Sequence, residues 1–250
     1  MTLTEALRRA TEKLNRQKIN SASLDAELLL SLALKKNKEF LYTHPEKKLS
    51  LFAKLKFGYL IGRRLKNVPL AYLTGRKEFY GYDFLVNRNV LIPRPLSEKI
   101  VELALKEIQP GFTVVDVGTG SGNILISVAL ELKKKYALTE FRFYGLDISA
   151  KALKVAKQNA RIHKVEKQIT FLESNLLEKV KNHKIDLILA NLPYLEASDL
   201  NEPSIQKEPR LALVGNYAEL FRQILNLQPK PMVIYEDKGG VRKKEASVEK

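Results

Sequence analysis

The chain contains no cysteine and no tryptophan, and only three histidines, His44, His163 and His183, spread far apart. Without cysteine there is no disulfide framework, no thiolate zinc site and no thiol redox chemistry. Scattered histidines argue against a histidine metal centre, so no metal site is expected. No apolar run approaches the roughly 20 residues that cross a bilayer. The opening segment MTLTEALRRATEKLN is amphipathic and charged. It lacks the apolar core of a signal peptide, and a cytoplasmic location is expected.

Acidic residues are the minority charge, with 28 Asp/Glu against 43 Lys/Arg and a formal net charge of +15. Residues 1–88 hold 18 Lys/Arg against 8 Asp/Glu, so +10 of that excess sits in the N-terminal third. Such a basic face suits weak contact with nucleic acid, the ribosome or an acidic partner; a merely solvated lysine-rich surface would have the same composition. Hydrophobic residues make up 45% of 250. That is enough for one large domain, or a medium domain with a small one.

Hydrophobic spacing divides the chain. Leu3, Leu7, Ala10 and Leu14 recur at helical period, Ser23 is placed to cap a second helix with Asp25 and Glu27 in its first turn, and Leu51–Leu65 reads as a longer helix. Residues 1–70 are thus expected to form a small helical bundle. In residues 71–95, Gly75 and Gly81 interrupt a run rich in Phe and Tyr, which predicts a β-hairpin linker. Pro93 and Pro95 then introduce a helix over Ser97–Ile108.

From Phe112 short apolar strands alternate with helices: TVVDVG, FRFYGLDI, QITFLES, KIDLILA and PMVIYED are the strands. This order predicts an α/β domain over residues 96–237, with a mainly parallel sheet and helices on both faces. The tail, residues 238–250, is polar and basic and is expected to be disordered.

The first strand runs into Asp116-Val-Gly118-Thr119-Gly120-Ser121-Gly122 and then directly into a helix. Glycines at that turn let a ligand approach the backbone closely. The third glycine falls one residue too early for the dinucleotide fingerprint, and no Lys-Ser/Thr pair follows as in a phosphate loop. The spacing favours a nucleoside without pyrophosphate, and Asp116 suits a ligand with a positive group. Asp147 ends the second strand, where a carboxylate can accept from both ribose hydroxyls; a plain helix cap beside Ser149 is the competing reading. Ser174, Asn175 and Leu176, ending the third strand, are placed to border a base.

Asn191-Leu192-Pro193-Tyr194 ends the fourth strand, 73 residues after Gly118. An amide nitrogen is a poor nucleophile because its lone pair is delocalised. Two carbonyl acceptors, Asn191 Oδ1 and the Leu192 backbone oxygen, could hold both its N–H bonds and aim the lone pair at an electrophile. Pro193 restricts residue 192. Tyr194 is expected to form a flat wall. Asn-x-Pro alone is common in turns; the glycine loop upstream makes the combination specific.

With these motifs the chain resembles a class I methyltransferase (Rossmann-like), and more closely the peptide chain release factor glutamine N5-methyltransferases. The likeness runs through Asp25-Ala26-Glu27-Leu28-Leu29, Pro69–Gly75, Glu78–Gly81, Leu91–Pro95, Asp116–Gly122, Asn191–Tyr194 and Glu208–Leu213. It implies S-adenosylmethionine as cofactor, S-adenosylhomocysteine as product, and the glutamine of the Gly-Gly-Gln motif in class 1 release factors as methyl acceptor, acted on by a monomer. It implies that Asp116, Gly118 to Gly122, Asp147, Asn175, Leu176 and Asn191 line the cofactor. Asn191, Leu192, Pro193 and Tyr194 would hold the glutamine, with Phe79 and Arg94 near the mouth. An adenine-N6 methyltransferase acting on DNA or RNA, or a non-catalytic binding protein, would share much of this pattern. The chain departs from the family's pattern in having Leu192 in place of a proline and Asn175 in place of an aspartate. Its C-terminal strands are shortened, which would leave PMVIYED at an open edge.

Overall fold

The computed structural model describes residues 1–194, 203–213 and 217–245. The chain divides into two compact units, Met1–Gly75 with Pro203–Lys207, and Arg76–Glu202 with Glu208–Lys250.

The first unit is helical: α1 Leu3–Arg16, α2 Ala22–Leu34, α3 Lys38–Thr43, α4 Leu51–Leu65 and α5 Leu70–Thr74. A capping box opens α1, with the Thr2 hydroxyl accepting from the Glu5 amide and Glu5 accepting from the Thr2 amide. Leu3, Ala6, Ala10 and Leu14 face a core shared with Leu29, Leu30, Phe57 and Leu60. The expected cap at Ser23 is corrected: the N-cap is Ser21, and Ser23 lies inside α2. Asp25 is 1% exposed and accepts from Arg64 Nε at 2.5 Å, so it binds α2 to α4 rather than serving only the helix end. α5 occupies the start of the segment read as hairpin.

The second unit opens with the hairpin, β1 Arg76–Phe79 and β2 Tyr82–Leu85. Tyr80 and Gly81 form its two-residue turn, both at positive φ (52° and 74°), as right-twisted hairpins favour. Helix α6 Glu98–Glu107 follows. Then come β3 Thr113–Val117, α7 Asn123–Lys133, β4 Arg142–Asp147, α8 Ala150–Ile162, β5 Ile169–Glu173, β6 Leu187–Ala190, α9 Ala218–Leu225, β7 Met232–Asp237 and β8 Gly240–Glu245.

The sheet order among the described residues is β5-β4-β3-β6-β7-β8, parallel except for β8. Alternation along the strands feeds two cores. Val114, Leu187 and Leu189 pack with α6, α7 and α8. Val115, Ile188 and Ala190 pack with Leu220 and Ile224 of α9. The order reverses at β3, between β4 and β6, and in such sheets the crevice beyond that point takes the ligand.

The tail corrects two expectations. Gly240–Glu245 is a strand, and its antiparallel pairing with β7 means that β7 is not an open edge. Lys238 and Gly239 make the turn, and the basic side chains have partners: Arg242 with Asp237 at 2.7 Å and Lys243 with Glu107 of α6 at 2.5 Å. Val241 alone packs on the core, too small an apolar signal to show against the charge. Residues 246–250 of the tail lie outside the described residues.

Removing residues 238–250 should strip the ladder from β7. We expect a lower melting temperature and a soluble fraction that falls with protein concentration, read by thermal denaturation and light scattering. An unchanged melt would show that β8 contributes nothing to stability.

Candidate active site

Two loops meet beyond the β3–β6 reversal. The first, after β3, needs all three glycines in the left-handed region: φ is 72° at Gly118, 55° at Gly120 and 79° at Gly122. Space excludes side chains as well. A Cβ on Gly118 would lie 2.7 Å from Leu192 Cδ2, and one on Gly122 2.9 Å from Ile126 Cδ1. The loop is pinned from behind by Asn159, whose Nδ2 donates to the Ser121 carbonyl at 2.8 Å and to the Leu85 carbonyl at 3.0 Å.

The second loop follows β6. The Leu192 amide donates to the Tyr217 hydroxyl at 2.9 Å, and that hydroxyl lies 2.6 Å from the Glu236 carbonyl oxygen. Leucine at 192 keeps an N–H that proline would lack, and its side chain is 8% exposed. Among the described residues the Leu192 carbonyl and Asn191 Oδ1 have no hydrogen-bond partner. Asn191 Nδ2 donates to the Ser97 hydroxyl at 2.8 Å.

The loops enclose a cavity of about 270 Å³. Gly118, Thr119, Gly120, Ser121, Asp147, Asn175, Leu176, Asn191, Leu192, Pro193 and Arg94 all line it, so the structure brings together most of the residues singled out from sequence. Four stand apart. Phe79 is 1% exposed and packs edge-on against Phe84 with ring centroids 6.2 Å apart, so it is a core residue and not part of a substrate mouth. Gly122 caps α7 beneath the loop. Tyr194 is half-buried and does not line the cavity; its hydroxyl donates to Glu236 Oε1 at 2.8 Å. Burial, followed by this bond to Glu236, pushes its phenol pKa up.

Asp116 also sits behind the loop. Its Oδ2 accepts from the Thr119 hydroxyl at 2.6 Å, and Oδ1 is buried without a partner among the described residues. Burial pushes its carboxyl up to about 7, the Thr119 bond opposes this, and the Asp147 charge adds to it. Asp147 is not the helix cap, since Ser149 is the N-cap of α8 and accepts from the Ala152 amide at 3.2 Å. Asp147 borders the cavity, and its oxygens accept from the Gly120 amide at 2.9 Å and the Ser149 amide at 2.8 Å. Burial raises its pKa, while these two amides lower it. A carboxylate has about four acceptor sites, so two remain for a diol. Leu176 holds a left-handed φ of 52°, with its carbonyl accepting from the Ser174 hydroxyl at 2.9 Å; strain of this kind clusters at ligand sites. Asn175 binds Glu178 Oε1 at 3.1 Å.

Sequence reasoning missed Ser97, Tyr217 and Glu236, and the role of Glu208. Glu208 accepts from the Ile92 amide at 3.0 Å and pairs with Arg94. Each lies far along the chain from its partner, with no local spacing to mark it. The residues present fit a nucleoside-bearing ligand: a backbone cradle that a Cβ would fill, a pinned carboxylate with free acceptor sites, and apolar walls from Ile124, Leu146, Ile148 and Leu176.

Because the folded pKa of Asp116 exceeds the unfolded value, its contribution to stability is full below about pH 4 and is lost as pH rises through about 7. Between those limits the ligand-free protein should lose melting temperature relative to D116N, whose amide does not titrate. Parallel melting curves would contradict this assignment.

Comparison with known proteins agrees with the geometry. Residues 5–75 match the PrmC N-terminal domain and residues 108–243 a methyltransferase domain. The release factor glutamine methyltransferase of Moorella thermoacetica is 37% identical over 86% of this chain and 75% of its own length. That of Leptospira interrogans is 40% identical over 83% of this chain and 73% of its own, and that of Borreliella burgdorferi 37% over 87% and 77%. These names do not favour the adenine-N6 reading. With two domain matches in order and relatives at this identity over most of both chains, this protein belongs to the release factor glutamine methyltransferase family.

Proposed function

We propose that this protein transfers a methyl group from S-adenosylmethionine to the side-chain amide nitrogen of the Gly-Gly-Gln glutamine in a class 1 peptide chain release factor. The observation that carries the reading is that Asn191, Leu192 and Pro193 line the same cavity as Gly118–Ser121 and Asp147. Cofactor and acceptor residues thus border one space.

When bound, S-adenosylmethionine supplies an electrophilic sulfonium methyl. Gly118, Thr119, Gly120 and Ser121 would offer backbone to it, Asp147 its two free acceptor sites to the ribose, and Leu176 an apolar surface to the base. Asn191 Oδ1 and the Leu192 carbonyl are the acceptors for the two N–H bonds of the glutamine amide. Holding both fixes the plane of the amide and withdraws neither electrons nor protons from it before reaction. The nitrogen lone pair is then presented along one line, which is catalysis by positioning and preorganised dipoles. No nucleophilic side chain is required. Leu192 is held by Tyr217 and by its fit over Gly118, so its carbonyl is fixed by contacts outside the substrate.

Arg94 lines the cavity while paired to Glu208, which supports reading it as a contact for the release-factor loop. The basic first unit suits an additional weak contact with the ribosome or nucleic acid, and we place the reaction in the cytoplasm on a monomer. No helix among the described residues is long and apolar enough to cross a membrane.

Incubation with purified release factor and labelled cofactor should methylate one glutamine, located by peptide mass spectrometry. N191A should lower the rate by about 100-fold or more, as removal of a preorganised dipole does elsewhere. Full activity of N191A would rule out this mechanism. G118A places a Cβ against Leu192 at a positive φ and should weaken S-adenosylhomocysteine binding by about 10-fold or more in calorimetry. Unchanged affinity would show that the ligand does not approach this backbone.

A further inference from the structure

An asparagine side chain is nearly symmetric in outline and opposite in chemistry at its two ends, a carbonyl that accepts and an NH2 that donates. Asn191 can receive a substrate NH2 only if its carbonyl faces the cavity. No hydrogen bond within residues 191–194 decides this, and the two ends of an amide are told apart by their partners.

The partners here form a chain of one direction. Glu236 is 2% exposed at the end of β7, and its carboxylate only accepts. Oε1 receives the Tyr194 hydroxyl at 2.8 Å and Oε2 the Ser97 hydroxyl at 2.6 Å. Ser97, itself 1% exposed, has one hydroxyl proton, and Glu236 takes it. What Ser97 meets on Asn191 at 2.8 Å must therefore be a donor, Nδ2. Oδ1 is the end left for the cavity.

We infer that Ser97 and Glu236 are positioning residues that set the polarity of Asn191. The acceptor-only carboxylate acts through a single hydroxyl to turn the asparagine carbonyl toward the substrate. This rests on the reading that Asn191 receives the substrate amide. It also gives the half-buried Tyr194 a role, which is to hold the second oxygen of Glu236 through its hydroxyl. The rival account is that Ser97 and Glu236 only tie the start of α6 to β7.

The two accounts differ in substrate discrimination. With Oδ1 toward the cavity, a release factor bearing glutamate in place of the accepting glutamine meets acceptor against acceptor and binds more weakly. Ser97→Ala removes the link. Glu236→Gln introduces a donor, so that Ser97 can point either way. Ser97→Thr keeps the hydroxyl. Affinities for the glutamine and glutamate forms would be measured with S-adenosylhomocysteine present, together with kcat/KM.

We expect S97A and E236Q to lower the glutamine-over-glutamate ratio by about 10-fold and kcat/KM by about 100-fold. S97T should restore both, and affinity for S-adenosylhomocysteine should stay within about twofold of wild type. S97A and E236Q proteins that melt lower but keep the wild-type ratio would overturn the inference in favour of a structural tie. If the wild-type protein methylates no release factor, the proposed function fails. The polarity is then read directly from NMR of the wild-type protein. Nuclear Overhauser contacts between the Asn191 side-chain NH2 and the Ser97 β protons support it, and their absence from an assigned NH2 pair overturns it.

Discussion

The reversal of strand order at β3 is the constraint on which the site depends. With β4 on one side and β6 on the other, the chain ends leaving β3 and β6 point into one crevice. Their loops are separated by tens of residues in sequence and by one strand spacing in space. Of the three glycines after β3, Gly118 is the one that lets those loops close on each other, while Gly122 makes room for Ile126 of α7 and Ala156 of α8. Gly118 has no side chain because Leu192 occupies the space, so a residue of the loop after β3 and a residue of the loop after β6 share one packing contact.

Buried polar groups give this contact its direction. Around the crevice, the Ser97 and Tyr194 hydroxyls each donate to one carboxylate oxygen of Glu236, Asn191 Nδ2 donates to the Ser97 hydroxyl, and the Tyr217 hydroxyl lies within reach of the Glu236 and Ala190 carbonyl oxygens. A buried group that lost its partner would cost about 1–3 kcal/mol, more where charge is involved. The arrangement therefore resists the alternative amide orientation at Asn191. Asp116 stands on the other side of the glycine loop and carries the opposite lesson. Its raised pKa, with one oxygen lacking a hydrogen-bond partner among the described residues, shows a carboxyl held where ionisation is costly, in contact with Thr119 of the loop itself.

Much of this was legible in the sequence because its signals are local. Strand–glycine–helix, an acid ending the next strand, and Asn-Leu-Pro-Tyr each lie within a few residues, and the alternation of apolar strands and helices sets their relative placement. What escaped was non-local or compositionally masked. Ser97 and Glu236 are 139 residues apart and meet only through the fold. Phe79 sits in a motif-like segment, yet its large apolar ring was needed in the core beside Phe84. Strand β8 carries one packing valine in a basic run, and its pairing depends on a turn at Lys238–Gly239 and on partners in α6 that a linear reading does not bring near.

The central claim is that two carbonyl oxygens, Asn191 Oδ1 and Leu192 O, receive one planar NH2 group beside the glycine loop. A crystal structure with S-adenosylhomocysteine and a Gly-Gly-Gln peptide tests it most directly. The account predicts the glutamine nitrogen at about 3 Å from both oxygens, with the ribose hydroxyls on Asp147. A glutamine seated elsewhere, or bound through its own carbonyl to Asn191, would contradict it.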